Sequence, residues 1–159
     1  MKPYTYRIAH LESPPDIDVG DIIQPDQKIG RMGNTGKSKW PHLHQDVIHG
    51  HITRIVRLKQ MGYEPHHIYT PSIEQLNHFM DKGLFHFPLV ITTPYYDPGY
   101  KLDWKKDHPA YDVVPEDRKR TTDHFDIFWN RTKIEGLLLF KGYDYQGGYG
   151  NYALIGFEV

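Results

Sequence analysis

The stretch Gln27-Lys28-Ile29-Gly30-Arg31-Met32-Gly33-Asn34-Thr35-Gly36-Lys37-Ser38-Lys39-Trp40-Pro41-His42-Leu43-His44 decides how the rest of the chain is read. At its middle, Gly33-Asn34-Thr35-Gly36 is a turn, because glycine and asparagine tolerate the positive φ angles that tight turns need. Before the turn, Lys28-Ile29-Gly30 reads as a short strand, preceded by another at Ile22-Ile23 across a turn at Pro25-Asp26. After it, His42-Leu43-His44-Gln45-Asp46-Val47-Ile48 reads as a further strand. Residues two apart on a strand share a face, so His42 and His44 present both imidazoles to one side. A His-x-His alone is a weak sign of chemistry and has to find its partners elsewhere.

Working outward, Tyr4, Tyr6 and Ile8 alternate with Thr5, Arg7 and Ala9, which predicts a strand ending at His10-Leu11 and broken by Ser13-Pro14-Pro15. Strand character returns at Leu89-Val90-Ile91-Thr92 and over 125–129, 136–141 and 151–157, the last preceded by a Gly147-Gly148-Tyr149-Gly150-Asn151 turn. Residues 51–87 differ. Ser72 and Gln75 form a capping box ahead of Ile73, Leu76 and Phe79, predicting a helix near 72–82 that Gly83 ends. The chain therefore reads as one domain over 1–159, mainly β, with an antiparallel sheet or sandwich core. That core takes residues 1–50 and 88–159, and 51–87 form a small helical connector.

Bulk properties remove several classes of function. The 19 basic and 20 acidic residues leave a net charge of −1, which gives no electrostatic case for nucleic acid. There is no cysteine, so disulfides, thiolate metal sites and cysteine nucleophiles are excluded. The opening Met-Lys-Pro-Tyr-Thr-Tyr-Arg has no long apolar run, and neither a signal peptide nor membrane insertion is expected. The eleven histidines stand out, since imidazole is the commonest nitrogen ligand for metals.

A second constellation is His108-Pro109-Ala110-Tyr111-Asp112, whose neutral imidazole and carboxylate both suit zinc. Taken with His44, it supplies three protein ligands and leaves a fourth position for water, as a catalytic zinc requires. His42 and His10 then remain as candidates for general base and for stabiliser of a tetrahedral oxyanion, and spacing does not say which is which.

From Ala9-His10-Leu11 through Gly20-Asp21, Ile29-Gly30, Gly33-Asn34-Thr35-Gly36 and Pro41-His42-Leu43-His44, the order resembles the C-terminal half of lysostaphin/LytM-type endopeptidases. The half that normally comes first resembles later parts of this chain. His108 to Asp112 is similar to that family's ligand pair, Glu135-Gly136-Leu137 to its Gly-x-Val strand, and Gly148-Tyr149-Gly150-Asn151 to its turn before Ala153-Leu154-Ile155. Ile91-Thr92-Thr93-Pro94-Tyr95-Tyr96 resembles the opening of the family's domain. The sequence thus resembles a circularly permuted member, with 51–87 as the new connector.

The resemblance implies a β fold with a groove holding one zinc ion on His108, Asp112 and His44. It implies catalytic roles for His42 and His10, and hydrolysis of cross-bridge or stem peptides of bacterial peptidoglycan. Asn34, Trp40 and Tyr149 are expected to contact substrate. Two departures, Ser38-Lys39-Trp40 and Gln45-Asp46, are expected to alter the groove wall. His124-Phe125-Asp126 repeats the ligand chemistry but is expected to have a structural or surface role. A wall hydrolase of this kind, without a leader, fits a phage lysin acting through a holin or carried on a particle. Two alternatives stay open: an inactive cell-wall-binding or regulatory module on the same fold, and a structural virion component.

Overall fold

Strand β1 (Pro3–Leu11) lies near the middle of a seven-stranded sheet, hydrogen-bonded on one side to β4 (Leu43–His49) and on the other to β9 (Gly150–Glu158). The computed structural model describes residues 3–49, 89–93, 97–105, 110–116, 118–120, 122–129 and 135–158. The remaining elements are β2 (Ile22–Ile23), β3 (Lys28–Arg31), β5 (Leu89–Thr93), the helix α1 (Pro98–Trp104), β6 (Tyr111–Pro115), β7 (Asp126–Phe128) and β8 (Gly136–Asp144). The large sheet runs β2-β8-β9-β1-β4-β6-β5, and β3 with β7 makes a second, two-stranded sheet. Every pairing is antiparallel. The fold is mainly β, as the period-two patterning predicts. The helix predicted near 72–82 and its connector lie outside the described residues.

Alternation along β1 sorts its side chains. Tyr6 and Ile8 enter the core with Leu43, Val113, Leu138, Ile155 and Phe157 from the same sheet. The β3–β7 pair lies over this face, adding Ile29, Ile127 and the flanking Met32 and Trp129. Each fully buried side chain of this size contributes about 1.5–3 kcal/mol. The two short strands read as neighbours, Ile22-Ile23 and Lys28-Ile29-Gly30, join different sheets. The Pro25-Asp26 turn, with Asp26 at φ 63, carries the chain from one layer to the other.

The opposite face of the large sheet carries the polar residues. Arg7 pairs with Asp46 across β1 and β4, Ala9 with His44, and His44 with Asp112 across β4 and β6. Helix α1 begins where Asp97 accepts a 2.8 Å bond from the Tyr100 amide, with Pro98 at its first position, and it ends at Lys105 in the left-handed conformation. No helix among the described residues is long and apolar enough to cross a membrane.

Candidate functional site

Three adjacent strands bring the site together. The register His44↔Asp112 lets the His44 imidazole meet the carboxylate, with Nδ1 3.1 Å from Oδ1. His42, two residues earlier and on the same face, sets Nε2 3.5 Å from the other oxygen of that carboxylate. One aspartate thus spans both imidazoles of the His-x-His. His44 and Asp112 are buried, at 8% and 7% exposure, whereas His42 is half-buried at the opening.

His10 reaches the same place by a local distortion. Simple alternation would turn its side chain to the core face with Tyr6 and Ile8. Instead β1 carries an irregularity against β9 between Ile8 and Leu11, and His10 adopts φ 62, a left-handed conformation uncommon for a residue with a Cβ. Its ring then lies 4.7 Å from that of His42 and 5.8 Å from that of His44, while Leu11 enters the core.

Two turns from opposite parts of the sequence hold this distortion. The Lys37 amide donates to the Gly148 carbonyl at 2.8 Å, and the His10 amide to the Tyr149 carbonyl at 2.8 Å. The Thr35 hydroxyl donates to the Leu11 carbonyl at 2.6 Å and accepts from the Asn151 amide at 3.0 Å. A Cβ on Gly36, at φ +76, would meet Gly150 Cα at 2.8 Å, so the two backbones touch only because both residues are glycine. From this contact the Thr35 carbonyl faces His10 Nδ1 at 2.7 Å.

Those backbone bonds set the tautomers. A carbonyl only accepts, so His10 Nδ1 carries the proton and a neutral His10 leaves Nε2 as an acceptor. His42 Nδ1 likewise faces the Trp40 carbonyl at 2.7 Å. Ser38 Oγ lies 3.2 Å from the same nitrogen and also bonds Asn34 Oδ1 at 2.5 Å. Burial, reinforced by His42 and His44, pushes the His10 pKa down to about 3. His10 is therefore neutral at physiological pH.

A neutral His42 turns an unprotonated Nε2 toward an acceptor-only carboxylate oxygen. Two acceptors 3.5 Å apart repel unless a positive charge accompanies them. Two ligands on a tetrahedral zinc at ordinary bond lengths lie about 3.4 Å apart. The 3.1 Å between His44 Nδ1 and Asp112 Oδ1 is close to that edge, so this pair fits a shared ion. No group of three His, Cys, Asp or Glu able to hold a metal occurs among the described residues. The third ligand expected from the sequence, His108, lies outside them.

Behind the site, Arg7 forks onto Asp46, with Nε 2.8 Å from Oδ1 and a second bond from the guanidinium to Oδ2. Burial alone would lower the Arg7 pKa, but the charge and hydrogen bonds of Asp46 raise it above its ordinary value. The guanidinium lies 4.2 Å from the centre of the Tyr149 ring, which in turn lies 5.3 Å from His44. Asp46 and Gln45, at 2% exposure each, are not part of the groove wall expected from the sequence. Arg7 takes the first, and Gln45 accepts a bond from the Tyr6 hydroxyl at 2.5 Å.

The site opens into a groove of about 290 Å³. Its lining includes His10, His42, His44 and Asp112, with Lys37, Ser38, Lys39, Trp40 and Pro41 from the loop before β4. Of the expected substrate contacts, Trp40 lines the groove. Asn34 braces the loop through Ser38, and Tyr149 is wedged between Arg7 and His44; neither lines the groove. Sequence reading missed Thr92, Thr93, Tyr100, Trp104 and Arg118, which complete the lining with Val114. The Asp97-Pro98 cap could have announced the helix that carries Tyr100 and Trp104. His124 and Asp126 sit apart from the groove, Asp126 on Lys28 and Arg31 and His124 3.7 Å from Glu12.

Residues 1–55 match the model of peptidase family M23. The M23-like part therefore contains His10, His42 and His44 but ends before Asp112. Members of that family are generally zinc-dependent. Comparison with curated proteins and with solved structures gave no significant match.

Proposed function

We propose that this protein is a zinc-dependent endopeptidase that hydrolyses peptide bonds of bacterial peptidoglycan, with the M23 elements in circularly permuted order. The observation that carries the reading is the meeting of four residues at one groove: His42 half-buried at its opening, and His10, His44 and Asp112 buried behind it. In the proposal His44 and Asp112 hold the ion together with His108. Zinc, when bound, supplies Lewis acidity, activating water and polarising a peptide carbonyl.

The chain's own groups account for the proton. His42 and His10 each have Nδ1 occupied by a backbone carbonyl, so each neutral ring offers Nε2 as the acceptor. Arg7 and Asp46 brace Tyr149 beneath His44, which keeps the ligand ring in one orientation. Trp40 and Trp104 line the same groove as the histidines, where a substrate peptide would lie.

Support for the permutation comes from β1 and β9. Pro3 pairs with Glu158, so β9 and β1 lie side by side and antiparallel, as strands consecutive in the unpermuted order would. Thr35 and Gly36 interlock with Gly148–Asn151, as two turns of one continuous M23 domain would.

Metal analysis with two variants tests the reading. The purified protein should carry one equivalent of zinc and cleave peptidoglycan peptides. His44→Ala should lose the zinc, whereas His42→Ala should keep it and lose turnover. Stoichiometric zinc in His44→Ala would sink the ligand assignment. Wall binding without zinc or cleavage would make the chain a binding module instead.

A further inference from the structure

The groove beside the histidines has an electrostatic character that the near-neutral composition does not suggest. Among the described residues, three cationic side chains, Lys37, Lys39 and Arg118, line it, and Asp112 is the only acidic one that does. None of the three has an ion-pair partner among the described residues. Lys37 Nζ reaches only the Gln146 carbonyl, at 3.4 Å, and Lys39 Nζ stands 5.9 Å from the centre of the Trp104 ring. Elsewhere Arg31 pairs with Glu12 and Asp126, Lys28 with Asp126 and Arg120 with Asp123, while Lys141 Nζ donates to the Pro15 carbonyl at 3.0 Å. Cations gathered at one opening, with no acidic partner among the described residues, attract an anion, and a groove concentrates that field. The exposed indole of Trp40, at 59%, and that of Trp104, at 39%, provide flat apolar surfaces among the charges.

We infer that Lys37, Lys39 and Arg118 determine specificity, selecting peptides that carry free carboxylates close to the cleaved bond over neutral peptides such as oligoglycine. This rests on the endopeptidase reading above and names the substrate class for the same site. A carboxylate is favoured over a phosphate polymer because the cations share one groove with the histidines, where a cleavable peptide has to lie. Lys39 belongs to the Ser38-Lys39-Trp40 departure from the family pattern, so this preference is a property of this chain.

Two peptides of identical sequence, one with free side-chain and terminal carboxyl groups and one with those groups amidated, make the test. Each exposed charge about 7 Å from a carboxylate changes affinity by a factor of two to three, so three charges give about tenfold. For the acidic peptide, kcat/KM of the zinc-loaded protein should fall about tenfold in Lys37→Gln/Lys39→Gln/Arg118→Gln, mainly through KM. Raising the salt from 50 to 500 mM should reproduce much of that fall. The amidated peptide should respond to neither change. Equal losses for the two peptides, or none, would overturn the inference.

Binding measured by tryptophan fluorescence of the metal-free protein separates the two proposals. Charge-selective binding without hydrolysis removes the endopeptidase and leaves the selectivity standing. Hydrolysis without charge selection does the reverse. Tighter binding of a glycerol-phosphate polymer than of the acidic peptide would also overturn the assignment to peptide carboxylates.

Discussion

Acidification should destabilise this protein through His10, by an amount its surroundings set. In the unfolded chain the imidazole titrates near 6.5; in the fold, burial first, then His42 and His44, pull it down to about 3 against the opposing Thr35 carbonyl and Asp112. The folded pKa lies below the unfolded one, so the unfolded chain takes up the proton first. Stability is therefore unaffected well above pH 6.5, falls as the pH drops through 6.5, and stops falling near pH 3. The linkage relation puts the loss at about 2 kcal/mol between pH 7 and pH 5, and about 3 kcal/mol by pH 4. Urea unfolding of wild type and His10→Gln at pH 7 and pH 5, with chelator present in all samples, isolates this group. Glutamine has an amide to offer the Thr35 carbonyl and does not titrate. The stability difference between wild type and variant should move by about 2 kcal/mol in the variant's favour at pH 5. Parallel pH dependences would refute the argument, because His10 would then be as easily charged in the fold as out of it.

Two further predictions concern the scaffold, both read from urea midpoints at pH 7. Asp46→Ala strands the Arg7 guanidinium, whose side chain is 15% exposed, and should cost about 3–5 kcal/mol, whereas Arg7→Met/Asp46→Leu should cost clearly less than the single change. Gly36→Ala forces a Cβ at positive φ against Gly150 and should cost well over the roughly 1 kcal/mol expected of Gly20→Ala, where φ is +96 and nothing lies within 4 Å. Similar midpoints for the two glycine variants would mean that the turns do not interlock.

Most strands were legible because a half-buried strand has to alternate, and β1, β4, β8 and β9 are long enough to display it. The shared face of His42 and His44 followed from the same period. Helix α1 escaped notice because seven residues are too few for a periodic stripe, and none of them is buried. Its Asp97-Pro98 start is a capping signal that only the mechanism of capping makes readable. The expectation that Gln45 and Asp46 shape the groove failed for a different reason. Gln45 alternates to the core face, where Tyr6 bonds it; Asp46 shares the face of His44, but alternation does not say that Arg7 covers it.

By itself the sequence determined the turns at Gly33–Gly36 and Gly147–Asn151, the β character of the chain, the exclusion of cysteine chemistry and the two imidazoles of the His-x-His. These depend on φ preferences and on a period of two, both local properties. Tertiary structure supplied what the resemblance only implied, that His44 faces Asp112 and that β9 lies against β1, since register between strands distant in sequence is set by which pairing buries the core. It also decided the placement of His10. Strict alternation would send that ring inward, and only the irregularity in β1, held by the Thr35 carbonyl of one turn and by a hydrogen bond from the His10 amide to the Tyr149 carbonyl of the other, turns it toward the groove.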